Sequence, residues 1–149
     1  HPAHLLAFGF GTGLAPRAPG TVGTLLGFPL FWLVAALAPD RGMQLALLAA
    51  AFVLGIAVCG RTGRALGVAD HGGIVWDEVV AFALVLVFAP AGALWGVLAF
   101  GLFRLFDIVK PWPIRQFDRR LKNGFGVMFD DLLAAGYAIA VMKGLTWLG

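Results

Sequence analysis

The sequence predicts an all-α fold: a membrane-embedded bundle of about five to six helices, built as a single domain over residues 1–149. Hydrophobic residues make up 60% of the chain and charged residues 13%, against roughly 45–50% and 25% in typical soluble domains. Residues 21–39, 42–60 and 79–103 contain no charged side chain, and each run reaches the roughly 17 to 25 residues that cross a bilayer. Because hydrocarbon offers no hydrogen bonds to the backbone, such runs are expected to be helices.

The first two uncharged runs are predicted to form a helical hairpin. Pro39 is followed by Asp40, Arg41 and Gly42, a composition typical of a tight connection. The glycine-rich stretch 60–73 then predicts a loop or an interfacial segment. It carries Arg61, Arg64, Asp70 and His71.

The third run contains Pro90, which is compatible with one kinked span or with a hairpin of two shorter helices. Basic residues occur at Arg17, at Arg61 and Arg64, and six times within residues 104–122. A hairpin that turns near Pro90 places all three groups on the cytoplasmic side, so the positive-inside rule favours it. Its halves are expected to extend beyond residues 79–103, with Pro111 ending the second, and a final helix is expected to begin near Asp130.

The net charge of +3 indicates anionic lipid rather than nucleic acid as a partner. The basic residues lie beside apolar segments and lack interleaved aromatic residues. The single cysteine, Cys59, lies inside an apolar run and is interpreted as a core residue that forms no internal disulfide.

Six of the eight acidic residues lie where an apolar helix meets a polar loop, and the predicted topology places all of these boundaries on the cytoplasmic side. Crowded carboxylates repel one another unless a cation neutralises them, and oxygen-only ligands suit Mg²⁺ or Ca²⁺. The sequence therefore predicts a magnesium site. The six acids are Asp70, Asp77, Glu78, Asp107, Asp130 and Asp131.

Purely structural interpretations of these acids remain open. The pairs Asp77–Glu78 and Asp130–Asp131 would each stabilise the positive end of a helix dipole if they lie in a first turn. Asp107 has Arg104 three residues before it and Lys110 three residues after it, a spacing that suits an ion pair within one helix. In a membrane protein, however, charges are costly enough that a functional role is the default interpretation.

Two Gly/Thr-rich stretches, residues 9–13 and 18–24, precede the first long apolar run and are predicted to be loops. Such loops can present N–H groups and hydroxyls to a phosphate, or can serve turns and close helix packing. Neither matches a P-loop or a dinucleotide fingerprint. Cys59 and Arg64 are one residue short of the spacing in cysteine-dependent phosphatases, whereas the Asp70–His71 pair remains a candidate general base.

Three motifs resemble the signature of the bacterial phosphatidylglycerophosphatase A family. They are DHGGIVWDEVV at residues 70–80, FRLFDIVKPWPI at residues 103–114 and GFGVMFDD at residues 124–131. Residues 9–16 and 18–25 match as well, so the resemblance extends from about His4 into the final helix.

The resemblance implies a Mg²⁺-dependent hydrolase of the bacterial cytoplasmic (inner) membrane that converts phosphatidylglycerophosphate to phosphatidylglycerol and phosphate. It implies a multi-pass protein with its active site on the cytoplasmic face, and no protein or nucleic-acid partner. Catalysis and metal binding are assigned by this similarity to Asp77, Glu78, Asp107, Asp130 and Asp131.

A phosphate beside these acids also needs positive charge and hydrogen-bond donors. Arg104 and Lys110 are the expected cations, and Gly20, Thr21 and Thr24 are the expected donors. The basic run from Arg115 to Lys122 is interpreted as a solvated surface that meets anionic headgroups, with binding of the substrate's inner phosphate as the alternative.

Two other classes of protein fit this sequence less well than a phosphatase does. A transporter would place its acids at mid-depth in the membrane rather than at one face. A lipid-binding scaffold would have no use for five clustered carboxylates.

Overall fold

The computed structural model describes Ala7, Gly9 and residues 19–66, 75–90, 92–109 and 124–148, and within these residues the chain forms helices and no strand. The all-α class is therefore confirmed. The helices are α1 (Pro19–Thr24), α2 (Gly27–Leu37), α3 (Arg41–Leu66), α4 (Trp76–Phe88), α5 (Ala93–Val109) and α6 (Gly124–Leu148).

The first apolar run is divided into two helices, and the loop predicted for residues 18–24 was wrong where the structure describes it. Residues 19–24 form α1, and a turn at residues 25–26 separates it from α2. Both short helices lie very close to α4. A Cβ added at Gly23 would lie 2.6 Å from the Val75 Cβ, and one at Gly27 would lie 2.6 Å from the Phe82 ring.

The predicted α2–α3 hairpin is confirmed, with its connection at residues 38–40. The Asp40 carboxylate accepts a 2.8 Å hydrogen bond from the Met43 N–H and so caps the start of α3. α3 then continues to Leu66, so the loop alternative for the stretch 60–73 was wrong for residues 60–66, whereas its interfacial alternative stays a prediction. Buried Cys59 and Thr62 pack this end of the helix against the bundle, and such packing outweighs the low helix propensity of nearby glycines.

The predicted hairpin at Pro90 is also confirmed: α4 ends at Phe88, and α5 runs from Ala93 to Val109. Gly92 has a φ of 123°, a conformation that glycine adopts without strain. α6 begins at Gly124, six residues before the expected start near Asp130. Asp130 and Asp131 therefore lie about two turns into the helix, and a first-turn dipole role does not apply to them.

α4 is the central helix, with ten of its thirteen residues buried. Phe82 on α4 contacts Phe28 of α2 and Phe100 of α5 edge-on, with ring centroids 4.9 Å and 5.5 Å away. The Trp76 indole at the start of α4 donates a 3.2 Å hydrogen bond to the Ala51 carbonyl of α3, whereas Arg41 lies over the Phe88 ring at the other end. α3 and α4 are therefore antiparallel.

One helix in the described part of the chain is long and apolar enough to cross a membrane. The segment Arg41–Thr62 of α3 has 22 residues. The apolar segment Thr21–Leu37 is shorter.

Candidate functional site

Four acidic side chains from three helices, Asp77, Glu78, Asp107 and Asp131, meet at one end of the bundle, and a fifth acid, Asp130, is buried and precedes Asp131 in the sequence. Asp77 and Glu78 lie in the first turn of α4, Asp107 in the last turn of α5, and Asp130 and Asp131 near the start of α6. The Pro90 hairpin makes this possible because it returns the end of α5 to the start of α4. Glu78 is half-buried and the four aspartates are buried.

Asp77, Glu78 and Asp131 form the centre of this cluster. Each offers one carboxylate oxygen, and these three atoms lie within 4.8 Å of one another. Asp131 precedes the apolar part of α6. Its side chain is buried, and the carboxylates of Asp107 and Asp77 lie beside it. Keeping these neighbouring carboxylates ionised without a bound cation therefore costs free energy.

The donor set fits a hard divalent cation. Asp131 Oδ2 is buried and accepts no hydrogen bond from the described residues, so it is available as a metal ligand. Oxygen-only ligands at this separation suit Mg²⁺ or Ca²⁺ better than a transition metal. The cluster is a candidate metal-binding site.

Arg104 on α5 lies between two of the acids. Its Nη1 atom is 3.5 Å from Glu78 Oε1 and also contacts Asp107 Oδ2. The ion pair of Arg104 with Asp107, within one helix, was among the interpretations of the sequence. The ion pair of Arg104 with Glu78 joins two helices and was not predicted. Arg104 Nε is buried without a hydrogen-bond acceptor among the described residues, so the guanidinium retains a donor.

Thr24 reaches the cluster from α1. Its hydroxyl donates a 3.4 Å hydrogen bond to Glu78 Oε2, and the side chain is fully buried. Thr21 lies one turn earlier on α1, and Gly20 belongs to the same helix. The structure thus brings Thr24 to the acids.

Several predicted residues lie outside the described part of the chain. Lys110, Asp70, His71 and the basic run from Arg115 to Lys122 are among them. Cys59 is buried and packs with Ala7, Val58 and Trp76, as expected for a core residue.

The position of Trp76 was not anticipated from the sequence. Its hydrogen bond to the Ala51 carbonyl fixes α3 against the first turn of α4, one residue before Asp77. The sequence shows an aromatic residue directly before two acids, which could have drawn attention to Trp76. It does not show the hydrogen-bond acceptor of Trp76, because Ala51 is 25 residues away.

Comparison with known proteins identifies similar sequences over nearly the whole chain. The family model described as Phosphatidylglycerophosphatase A matches residues 5–146. A Haemophilus influenzae protein named Phosphatidylglycerophosphatase A is 49% identical over 95% of this chain and 87% of its own length. An Escherichia coli protein of the same name is 39% identical over 95% of this chain and 82% of its own length.

A Bacteroides thetaiotaomicron protein, provisionally named a phosphatidylinositol-3-phosphatase, is also similar. It is 36% identical over 97% of this chain and 93% of its own length. No solved structure matches the chain.

Proposed function

Because this chain belongs to the phosphatidylglycerophosphatase A family, we propose that it is a membrane phosphatase that hydrolyses phosphatidylglycerophosphate to phosphatidylglycerol and inorganic phosphate. The convergence of Asp77, Glu78 and Asp131, with carboxylate oxygens within 4.8 Å, is the observation that carries this proposal. A cluster of this kind, with Arg104 beside it, suits metal-assisted hydrolysis of a phosphomonoester.

Asp77, Glu78 and Asp131 would hold Mg²⁺, with Asp107 and Asp130 as the further ligands of the site. When bound, Mg²⁺ would withdraw charge from phosphate oxygens and lower the pKa of a coordinated water. The buried Asp131 Oδ2 atom, which accepts no hydrogen bond from the described residues, supports this assignment.

The cationic side chains would position the phosphate. Arg104 would exchange part of its contact with Glu78 and Asp107 for a phosphate oxygen, since a guanidinium can contact several oxygens at once. Lys110, at the end of the same motif, is the second proposed cation. Gly20, Thr21 and Thr24 remain candidate hydrogen-bond donors to the phosphate.

The reaction is a simple hydrolysis. The hydroxyl of water adds to phosphorus, the bond between phosphorus and the ester oxygen breaks, and the proton goes to that oxygen as phosphatidylglycerol leaves. The carboxylates orient the attacking water, and Arg104 stabilises the charge that develops on the phosphoryl oxygens.

We further propose a multi-pass protein of the bacterial cytoplasmic membrane, with the acidic cluster on the cytoplasmic face. Arg61 and Arg64 are exposed on the end of α3 that extends beyond Trp76 and the acids. Basic residues at that end support a cytoplasmic location, where anionic phospholipids would surround the protein.

A second candidate substrate is phosphatidylinositol 3-phosphate. It is favoured by the 36% identical Bacteroides thetaiotaomicron relative. Both lipids carry a phosphomonoester on a headgroup, so the same carboxylates and Arg104 would serve either reaction. Assays of the two lipids in parallel decide between them: the proposal expects faster phosphate release from phosphatidylglycerophosphate.

The central experiment measures phosphate release by the purified full chain in detergent micelles that contain phosphatidylglycerophosphate. Release is expected with Mg²⁺ and should stop with EDTA. Asp77→Asn and Asp131→Asn should each lower kcat/KM by about 100-fold or more. Even the loss of a residue that only hydrogen-bonds to a metal ligand lowers metal affinity or activity by about 10- to 100-fold. Asp40→Asn, at the capped start of α3, is the matched control and should retain activity. Full turnover by Asp77→Asn would contradict the site assignment.

A second experiment tests the metal without measuring activity. Binding to the folded state stabilises it, by about 2.7 kcal/mol at a free concentration 100 times Kd. Mg²⁺ should therefore raise the Tm of the wild-type protein, and Asp131→Asn should remove most of that increase. A wild-type Tm that does not respond to Mg²⁺ would exclude the proposed metal site.

A further inference from the structure

An apolar groove begins at the acidic cluster and lies between α3, α4 and α6. Its volume is about 290 Å³, and ten of its eleven lining residues are apolar. The eleventh is Asp77, which is also one of the three central carboxylates. Asp77 therefore belongs both to the lining of the groove and to the candidate site.

The groove runs from the acidic end of the bundle towards its opposite end. Along α4, the lining extends from Asp77 to Leu84, a distance of about 10 Å at about 1.5 Å per residue. Along α3, it extends from Val53 back to Leu45, which is the same direction because the two helices are antiparallel.

One wall of the groove is open to the surroundings of the protein. Val53 is 64% exposed, and Ala49 is also exposed. Both residues belong to the segment Arg41–Thr62, which is long and apolar enough to cross a membrane. At that depth, an open apolar wall would meet lipid chains rather than water.

We propose that this groove binds one acyl chain of the lipid substrate while the phosphate lies at the carboxylates. This inference rests on the proposed function and extends it to the apolar part of the substrate. An elongated apolar surface suits an acyl chain, and its junction with Asp77 puts the polar end of such a ligand at the acids. The volume lies at the lower end of the range for ligand pockets, about 300–1,000 Å³, so it suits one chain rather than a whole lipid.

The groove contributes mainly by positioning the substrate, and only little by strengthening the binding of its acyl chain. A chain that leaves the bilayer for the groove exchanges one apolar environment for another, so little hydrophobic free energy is gained. Its effect is to fix the depth and direction of the headgroup relative to Asp77. Errors of about 1 Å in such positioning can cost about 100-fold in rate.

Two blocking variants and one matched control test the groove. Ala49→Phe and Val53→Phe place a ring in the groove from exposed positions on its α3 wall. Ala50→Phe makes the same change at the next exposed residue of α3, which does not line the groove. Each variant is assayed for phosphate release from long-chain phosphatidylglycerophosphate in mixed micelles, and for the increase in Tm caused by Mg²⁺.

The blocking variants should lower kcat/KM by about tenfold or more and keep the Mg²⁺-dependent increase in Tm, whereas Ala50→Phe should match the wild-type protein in both measurements. Blocking variants with wild-type kcat/KM would overturn the groove assignment. Loss of the Tm response in the blocking variants would also overturn it, because the ring would then have damaged the acidic cluster. A wild-type protein that releases no phosphate would instead contradict the proposed function, and the groove assignment with it.

Discussion

Glu78 is held at both of its carboxylate oxygens by side chains from other helices. Oε1 lies 3.5 Å from the Arg104 guanidinium of α5, and Oε2 accepts the 3.4 Å hydrogen bond from the Thr24 hydroxyl of α1. Two contacts on opposite oxygens restrict the rotation of a side chain that would otherwise sample several rotamers. Glu78 is therefore presented to the rest of the cluster in a defined orientation.

Replacing Thr24 by Val should weaken that orientation without changing the shape of the core. The loss of one hydrogen bond costs about 1 kcal/mol, which corresponds to a factor of about five in an equilibrium constant. We therefore expect the apparent affinity for Mg²⁺ and the kcat/KM of Thr24→Val to fall by about that factor. Thr24→Ser keeps the hydroxyl and should stay close to the wild-type values. Titration of activity with Mg²⁺ compares the two variants, and equal curves for both would show that the hydroxyl has no role.

At the level of single residues, the sequence singled out Asp77, Glu78 and Asp131, which the structure brings together, but it did not show which side chains contact them. Asp77, Glu78, Asp107, Asp130 and Asp131 stand out because carboxylates are rare and costly in so apolar a chain. The contact between Arg104 and Glu78 spans two helices, so local spacing contained no signal for it. The same holds for Thr24, whose partner is 54 residues away.

Among the helices, α1 contacts the start of α4 directly beside the site. At Gly23, an added Cβ would lie 2.6 Å from the Val75 Cβ, an atom fixed by the backbone. No rotation of the valine side chain relieves such a clash, so α1 must shift. Because Thr24 follows Gly23, a shift of α1 also moves the hydroxyl that binds Glu78.

Gly23→Ala should therefore destabilise the protein by about 1–3 kcal/mol and lower its activity. Gly136→Ala is the matched control, since nothing lies within 4 Å of the added Cβ on α6, and alanine there should stabilise the helix by about 0.5–1 kcal/mol. Unfolding in detergent, followed by circular dichroism, measures both changes. Equal stability of the two variants would contradict the close α1–α4 contact.

Helix ends were predictable where local chemistry sets them. The turns at Asp40 and Pro90 follow from a capping carboxylate and from the missing N–H of proline. The end of α3 was misjudged because its glycines suggest a loop, and the start of α6 was placed six residues too late. At both places, tertiary packing decides: Thr62 is fully buried, and Met128 fills the space beside Gly55.

For the molecule as a whole, the two ends of the bundle differ in chemistry. Asp77, Glu78, Asp107 and Asp131 lie with Arg104 and Arg64 towards one end. Asp40 and Arg41 at the start of α3, Lys143 over the Phe88 ring, and Trp147 lie towards the other. The proposed orientation places the acidic end in the cytoplasm.

Cysteine labelling in intact cells tests this orientation. In a Cys59→Ser background, a membrane-impermeant thiol reagent should label Trp147→Cys, whose native side chain is 91% exposed. It should label Arg64→Cys only after the membrane is permeabilised. The reverse pattern would place the acids on the outer face.

The packing of α6 has a consequence for biosynthesis. This helix supplies Asp130 and Asp131 and, through Ala134, Ala135 and Ala138, a large part of the core around α4. It is also made after every other helix described here. A nascent chain that holds only α1 to α5 therefore has only part of the carboxylate cluster, and the proposed site can form only after the ribosome has synthesised α6.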